Sequence, residues 1–208
     1  MELPSDTEIW DLHKKYAPHA RAFEVVRDHS NIVADIAAAL IATRTLDVDA
    51  RLVHAAVLLH DIGYYQLYDE TGFVPSGAAI KHGVLGSEVL RKEGLPEAVC
   101  RIAERHTGVG LRREHILAWK LPLPARDLVP ETPEEWLVLY ADKFHTKSIL
   151  AIEPGDITGW FNTPDFYIAH TRRYGEDNVV RFTELMKEYG KPDVEALSAR
   201  YKLPIDVR

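Results

Sequence analysis

The strongest constraint in this chain is the run Leu58-Leu59-His60-Asp61-Ile62-Gly63, where an apolar helical segment ends on an adjacent histidine and aspartate. Across residues 48–60, Leu52, Val53, Ala56 and Val57 recur at helical spacing, which predicts an amphipathic helix. His60 follows Val57, Ala56 and Val53 by three, four and seven residues, so it projects from the apolar face. Asp61 beside it is a carboxylate that would cost several kcal/mol to bury unpaired, on the order of a charged-group transfer penalty. A divalent cation would satisfy both groups, because neutral imidazole and carboxylate are good ligands for first-row metals.

Four more residues meet the same test. His29 shares a stripe with Ile32, Val33, Ile36 and Leu40, and His106 follows Ala103, Ile102 and Val99. His82 precedes Leu85 and Val89, with Gly86 where a neighbouring helix could approach closely; Asp142 follows Val138 and Leu139. A lone inward histidine is ordinarily a core residue satisfied by backbone or water, and Asp142 with Lys143 and His145 could belong to a solvated face or an ion pair. Five separate helices each offering a metal-capable group, one of them as a His-Asp pair, favour a shared cation over five unrelated core polar groups.

The rest of the chain reads as all-α. Helices are expected over 19–44, 48–60 (stopped by Gly63), 78–92 (stopped by Gly94), from Leu95-Pro96 to His106, and 112–120. Thr132-Pro133-Glu134-Glu135 opens another with a capping residue, a first-turn proline and a capping-box glutamate, running to about Leu150. Glu153-Pro154-Gly155 breaks the chain, and two or three shorter helices fill 163–201. Pro122, Pro124 and Pro130 suit an irregular crossover, and no strand-like alternation of useful length is present. The expected organisation is an N-terminal helical segment (1–18), a metal-binding helical domain (19–151) and a C-terminal helical extension (152–208) packed on it. The aromatics Trp160, Phe161, Phe166 and Tyr167 are expected in the core.

The set His29, His60-Asp61 and Asp142, in the contexts DHSNIVADIA, LLHDIG and YADKF, resembles the HD-domain superfamily of metal-dependent phosphohydrolases, whose pattern is H…HD…D on separate helices. The resemblance covers roughly residues 20–150. It implies an HD-domain-like helical bundle with the metal among its helices. Some members add two histidines that hold a second metal, and His82 (in KHGVLGSE) and His106 (in ERHTGVG) stand at those places. The resemblance then implies one ion on His29, His60, Asp61 and Asp142, with Asp61 bridging to a second on His82 and His106. The alternative for those two histidines is direct contact with substrate phosphate. Asp61, His82 and His106 are the expected catalytic groups. The Gly-Tyr-Pro signature of the HD-GYP branch is missing, which argues against a cyclic dinucleotide phosphodiesterase.

The implied activity is hydrolysis of a phosphate ester or anhydride, of a nucleotide or related small molecule, by metal-activated water. Iron or manganese are the expected ions, one or two per chain, with cobalt, nickel, zinc or magnesium as further candidates. Lys81, Lys143, Arg112 and Arg113 are the candidate phosphate-binding cations, the two arginines because they lie in the loop after His106. Residues adjacent to inward ligands should otherwise point sideways into solvent. Two alternatives remain at this stage: a di-iron oxygenase with the same six ligands, and a non-catalytic module with a structural metal.

Composition enters only as exclusion. A formal charge of -7 argues against a general or sequence-specific nucleic-acid binder. The single cysteine, Cys100, excludes an intramolecular disulfide or thiolate cluster. No apolar stretch approaches a membrane span, and MELPSDTEIWDLHKK lacks a signal-peptide pattern, so a cytoplasmic location is expected. Homo-oligomerisation is left open.

Overall fold

The computed structural model of the chain describes residues 2–70, 74–75, 77–148 and 159–206. Ten α-helices are present among them: α1 (Asp6–Tyr16), α2 (Ala20–Thr43), α3 (Ala50–Leu59), α4 (His82–Lys92), α5 (Glu97–Arg105), α6 (Arg113–Ala118), α7 (Pro133–Asp142), α8 (Pro164–Arg172), α9 (Glu176–Tyr189) and α10 (Val194–Tyr201). The fold is all-α with little strand. No described helix is long and apolar enough to cross a membrane.

Local chemistry explains most boundaries. Ser5 and Glu8 form a reciprocal capping box on α1, and Asp49, Thr132, Thr163 and Asp193 each cap a helix start. Gly94, at φ 77°, ends α4: its N–H donates to the Arg91 carbonyl and that of Leu95 to the Leu90 carbonyl, the pairing that a left-handed residue after a helix allows. On α7 the Thr132 cap forms, but the box is not reciprocal. Glu135 turns instead to the Glu131 N–H and to Arg101 and Arg105.

Helix α3 is the centre of the core. Val53, Ala55, Ala56, Val57, Leu58 and Leu59 are all buried, packed among α2, α5 and α7, and the α2 stripe of Ile32, Val33, Ile36 and Leu40 is fully enclosed. Past α3 the chain tightens into a 3-10 helix (Ile62–Leu67). Gly63 therefore does not stop the helix by adopting a left-handed conformation; it lies inside this turn, where its task is close approach to α4.

Two features depart from the all-helix expectation. The segment 78–92 is a 3-10 turn (Ala78–Lys81) followed by α4. Helix α7 ends at Asp142, not near Leu150; residues 149–158, with Glu153-Pro154-Gly155 and the expected boundary at 151–152, lie outside the described residues. The physical reason is Asn162, whose side-chain amide donates to the Lys143 carbonyl and whose N–H donates to the Phe144 carbonyl. Those acceptors would otherwise serve the next helical turn. The chain leaves instead as β1 (His145–Thr146), antiparallel to β2 (Trp160–Asn162), which runs parallel to β3 (Ile205–Asp206). Strands of two or three residues are too short to show alternation.

Helix α9 packs on α7, with α8 against α9 and α10 against β2: Phe182 and Tyr189 are buried, and the Tyr140 hydroxyl donates to the Gly190 carbonyl at 2.6 Å. Phe161 is fully buried; Trp160, Phe166 and Tyr167 are half-buried.

The crossover from Gly108 to Pro130 builds a small core of its own from Leu111, Ile116 and Leu128. It is fastened to the bundle by Glu104, whose buried carboxylate accepts from Arg126 at 2.9 and 3.0 Å and from Arg91 at 3.2 Å. Burial raises the pKa of Glu104, but the two guanidinium groups outweigh it and hold it at about 2. A depressed carboxylate contributes stability that is present above its unfolded pKa and lost as pH falls through the folded value. Glu104→Gln is expected to cost about 2 kcal/mol at pH 7. Urea denaturation of both proteins should show that difference shrinking between about pH 4.5 and pH 2. A pH-independent difference would mean that the ion pairs are not its source.

Candidate metal centre

The six expected ligands come together at one end of the core. His60 and His106 are the residues at which α3 and α5 end, and His82 is where the 3-10 turn passes into α4. All three use the same device. Nδ1 of His60 lies 2.6 Å from the Val57 carbonyl oxygen and Nδ1 of His106 2.7 Å from that of Ala103, while Nδ1 of His82 contacts the Ala79 carbonyl. A carbonyl only accepts, so each of these contacts puts a proton on Nδ1, and in the neutral ring Nε2 presents a lone pair, the arrangement of metal-ligating histidines. At His60 burial opposes the charge, but Asp61 and Asp142 outweigh it and raise the pKa, so a cation there would displace a proton.

Asp61 divides its two oxygens between two groups. Oδ2 lies 3.2 Å from His29 Nε2 and 3.4 Å from His60 Nε2. Asp142 Oδ1 joins that group, 3.0 Å from His29 Nε2 and 3.5 Å from His60 Nε2. Oδ1 of Asp61 lies 3.4 Å from His82 Nε2 and 3.7 Å from His106 Nε2, and those two nitrogens are 2.7 Å apart. These spacings are near the roughly 3 Å ligand–ligand edge expected for metal–nitrogen bonds of about 2.1 Å.

The donor chemistry fits a cation. Asp61 Oδ1 is buried and has no hydrogen-bond partner among the described residues, which is costly for a carboxylate oxygen. With both Nδ1 protons committed to carbonyls, His82 and His106 aim two further lone pairs at the same point, so three acceptors converge there. His29, His60 and Asp142 form a second convergent group. Burial, then the charge of Lys147, lowers the pKa of His29 to about 4, and burial with the neighbouring His106 lowers that of His82 to about 3. Both are neutral, ligand-competent imidazoles at pH 7. Burial opposes ionisation of Asp61 and Asp142, but Lys147 and His60 at the first and Lys143 and His29 at the second hold them well below the usual carboxylate range.

Three residues that periodicity did not single out complete the surroundings. Lys147 Nζ lies 2.5 Å from Asp61 Oδ2 and 4.3 Å from the centroid of the Tyr64 ring. Burial disfavours its charge, but Asp61 holds the ammonium above its ordinary pKa. His145 is buried, its Nδ1 2.8 Å from Nδ1 of His29, and so fixes the ring that faces Asp142. A helix continued to Leu150 would turn Lys147, five residues on, about 140° from Asp142; because the chain leaves α7 as β1, its ammonium reaches Asp61.

The expected phosphate-binding cations are dispersed. Lys143 is buried, donating to Asp142 Oδ2 at 2.6 Å and to the His106 carbonyl at 2.9 Å, so it aims a ligand carboxylate. Arg112 is exposed beside Trp136 and Arg181 in a separate shallow cavity. The Arg113 N–H is tied to Asp127 at 2.7 Å. Lys81 is half-buried just before His82. Of the six expected ligands, Asp142 and His82 keep some exposure, at 16% and 13%, which marks the open side of the cluster.

Comparison with known proteins agrees with this architecture. Over 140 residues the chain is 38% identical to a tRNA (cytidine(56)-2'-O)-methyltransferase of Thermoplasma volcanium, covering 67% of this chain and 36% of that protein. Over 94 residues it is 44% identical to the protein of the same name from Picrophilus torridus, covering 45% and 24%. The chain thus spans about a third or less of the length of these two relatives. An uncharacterized protein of Methanocaldococcus jannaschii is 37% identical over 131 residues, covering 61% of this chain and 70% of that one. The HD domain of the Listeria monocytogenes phosphodiesterase PgpH superimposes with a TM-score of 0.51 at 15% identity over 93% of this chain and 98% of that one. The same domain in complex with cyclic-di-AMP gives 0.50 at 16% identity, over 96% and 99%. The sequence profile of the HD domain matches residues 26–147, a span that holds all six convergent ligands and Lys147, and the chain belongs to the HD domain family.

Proposed function

We propose that this protein is a metal-dependent phosphohydrolase that cleaves a phosphate ester or anhydride of a small molecule, a nucleotide in the first place. The observation that carries the reading is the divided Asp61 carboxylate, with one oxygen facing each group of imidazoles and the outer one left without a partner. His29, His60, Asp142 and Asp61 would hold one divalent ion, and His82, His106 and Asp61 a second. When bound, such ions act as Lewis acids that bring the pKa of water from 15.7 to about 7 and neutralise charge on phosphoryl oxygens. Lys147 supplies a further positive charge, whose ammonium can exchange Asp61 for a phosphate oxygen. Lys143 holds Asp142 with one oxygen turned inward, and His145 holds the His29 ring. The partly exposed edges of His82 and Asp142 leave one side for substrate.

The nucleotide preference is supported by the neighbour that binds cyclic-di-AMP. The methyl transfer named for the archaeal relatives is not carried over, since the chain matches about a third or less of them.

The test is to strip the protein with a chelator, reload it separately with manganese, iron, cobalt, nickel, zinc and magnesium, and follow phosphate-ester hydrolysis beside oxygen uptake. Hydrolysis should depend on added metal. His82→Ala should lower it by at least about 100-fold, since even outer-shell losses cost 10–100-fold. Absence of metal uptake would overturn the reading, and iron-dependent oxygen consumption without hydrolysis would replace it with the oxygenase.

A further inference from the structure

A cavity of about 450 Å³ lies against the elements that carry the centre. Its wall includes Thr107, which follows His106, and Ile80, which follows the residue whose carbonyl holds His82. Tyr167 joins it from α8; its ring packs on Phe182 at 4.6 Å, and Phe182 packs on Tyr140 and Phe144, which stand two residues either side of Asp142. The cavity is thus walled by the elements that carry His82, His106 and Asp142, without any of the three lining it.

Its lining has an unusual chemistry for a space beside so many charges. Among the described residues it contains no Asp, Glu, Lys or Arg. Trp119 and Tyr174 stand on it with ring centroids 5.9 Å apart, and His115 stacks beneath Trp119 at 4.9 Å with the planes 10° apart. Both large rings stay exposed, at 40% and 46%. Helix α6 buries Ile116, while the Trp119 ring just past its end rests on His115 and keeps its other surface exposed. The Gly108–Gly110 turn offers bare backbone. Amide and hydroxyl groups of Asn178 and Thr171 supply polar edges. A volume of this size, mostly apolar with a few polar groups, is typical of a small-molecule site, and exposed aromatic rings suit a flat heterocycle, because every base has a π-face.

We propose that this cavity is a base subsite, in which the heterocycle of a mononucleotide stacks on Trp119 and Tyr174 while its phosphate lies at the candidate metal centre. The phosphate end rests on the phosphohydrolase reading; the base end rests on the cavity alone. Tyr167, Thr171, Tyr174 and Asn178 all lie beyond residue 147, where the family match ends. Selectivity for the base would thus draw on these C-terminal residues together with Trp119, which lies inside the matched span, and not on the shared ligand set.

The experiment uses the full chain with Trp119→Ala and Tyr174→Ala, both at exposed rings, with folding checked by circular dichroism. Binding of the four ribonucleosides, which carry no phosphate, is measured by saturation-transfer NMR and calorimetry. Hydrolysis of nucleoside monophosphates is compared with that of ribose 5-phosphate, which lacks the ring. Each variant is expected to weaken nucleoside binding about tenfold and to lower selectivity for nucleotide over ribose 5-phosphate by a similar factor, through KM. Nucleosides that fail to bind, or bind both variants as well as the parent, would overturn the subsite even if nucleotides are hydrolysed. Nucleoside binding lost in the variants, in a protein that hydrolyses no phosphate ester, would uphold the subsite and sink the hydrolase.

Discussion

Gly63→Ala is expected to destabilise the protein by upward of about 3 kcal/mol, at or beyond the usual range for an overpacked core. A Cβ on Gly63 would stand 2.1 Å from the His82 carbonyl oxygen, 2.2 Å from the Gly86 nitrogen and 2.7 Å from its Cα. All three are backbone atoms, so no side chain can rotate away; α4 itself would have to move. It has little room, because a Cβ on Gly83 would already lie 2.8 Å from the Ala103 carbonyl of α5. Helix α4 is thus held between the turn after Asp61 and α5 by backbone contact on two sides. This sets His82 against Asp61 and His106. Gly86→Ala is the control: its nearest contact would be 3.2 Å, to the Gly63 nitrogen. A shift of a few tenths of an ångström there is offset by the roughly 1 kcal/mol of helix propensity that alanine gains over glycine. Urea denaturation should separate the two variants clearly. Equal stabilities would mean that the close approach at Gly63 is not what places α4.

Helical periodicity carries much of this. Val57, Val99 and Ile32 are buried at the spacing that made His60, His106 and His29 inward-facing, so the element holding each ligand and the face it uses could be read from the chain. What periodicity cannot express is the meeting of separate elements. The last carbonyls of a helix lack an intrahelical partner, so those of Val57 and Ala103 can accept from His60 and His106 at the ends of α3 and α5; which side chain takes them is not written in the periodicity. The helix after Thr132 was overextended because the signal that ends it, Asn162, lies 20 residues beyond Asp142 and acts only once β2 has docked. With that end misplaced, Lys147 and His145 could not be seen as neighbours of Asp61 and His29. Arg112 and Arg113 were assigned to the site by loop proximity, yet the tether to Asp127 and the small core around Ile116 hold that loop in a defined path.

Asp61→Ala is expected to abolish metal binding at both halves of the centre, whereas Asp142→Ala removes a ligand from only one. Elemental analysis after reloading would show the first with no bound ion and the second retaining a part of the parent's content, while hydrolysis falls in both. The same substitution has a second consequence that can be separated from the first. Lys147 is 13% exposed at its side chain, with its ammonium on Asp61 Oδ2. Removing the carboxylate strands that charge in the interior, and breaking a buried pair from one side costs about 3–5 kcal/mol, less whatever Lys147 recovers by releasing its proton as its pKa falls. In chelator-treated protein, Asp61→Ala should therefore be destabilised by about 3 kcal/mol, and Lys147→Met added to it should restore most of that loss. An unpaired ammonium then no longer exists, but neither does the carboxylate shared by the two groups of imidazoles, so the double variant should be stable and still metal-free. Recovery of metal binding in that double variant would show that Asp61 excludes Lys147 and does not bridge two ions. Failure to recover stability would place the cost of the substitution in the packing around α3 and not in the stranded charge.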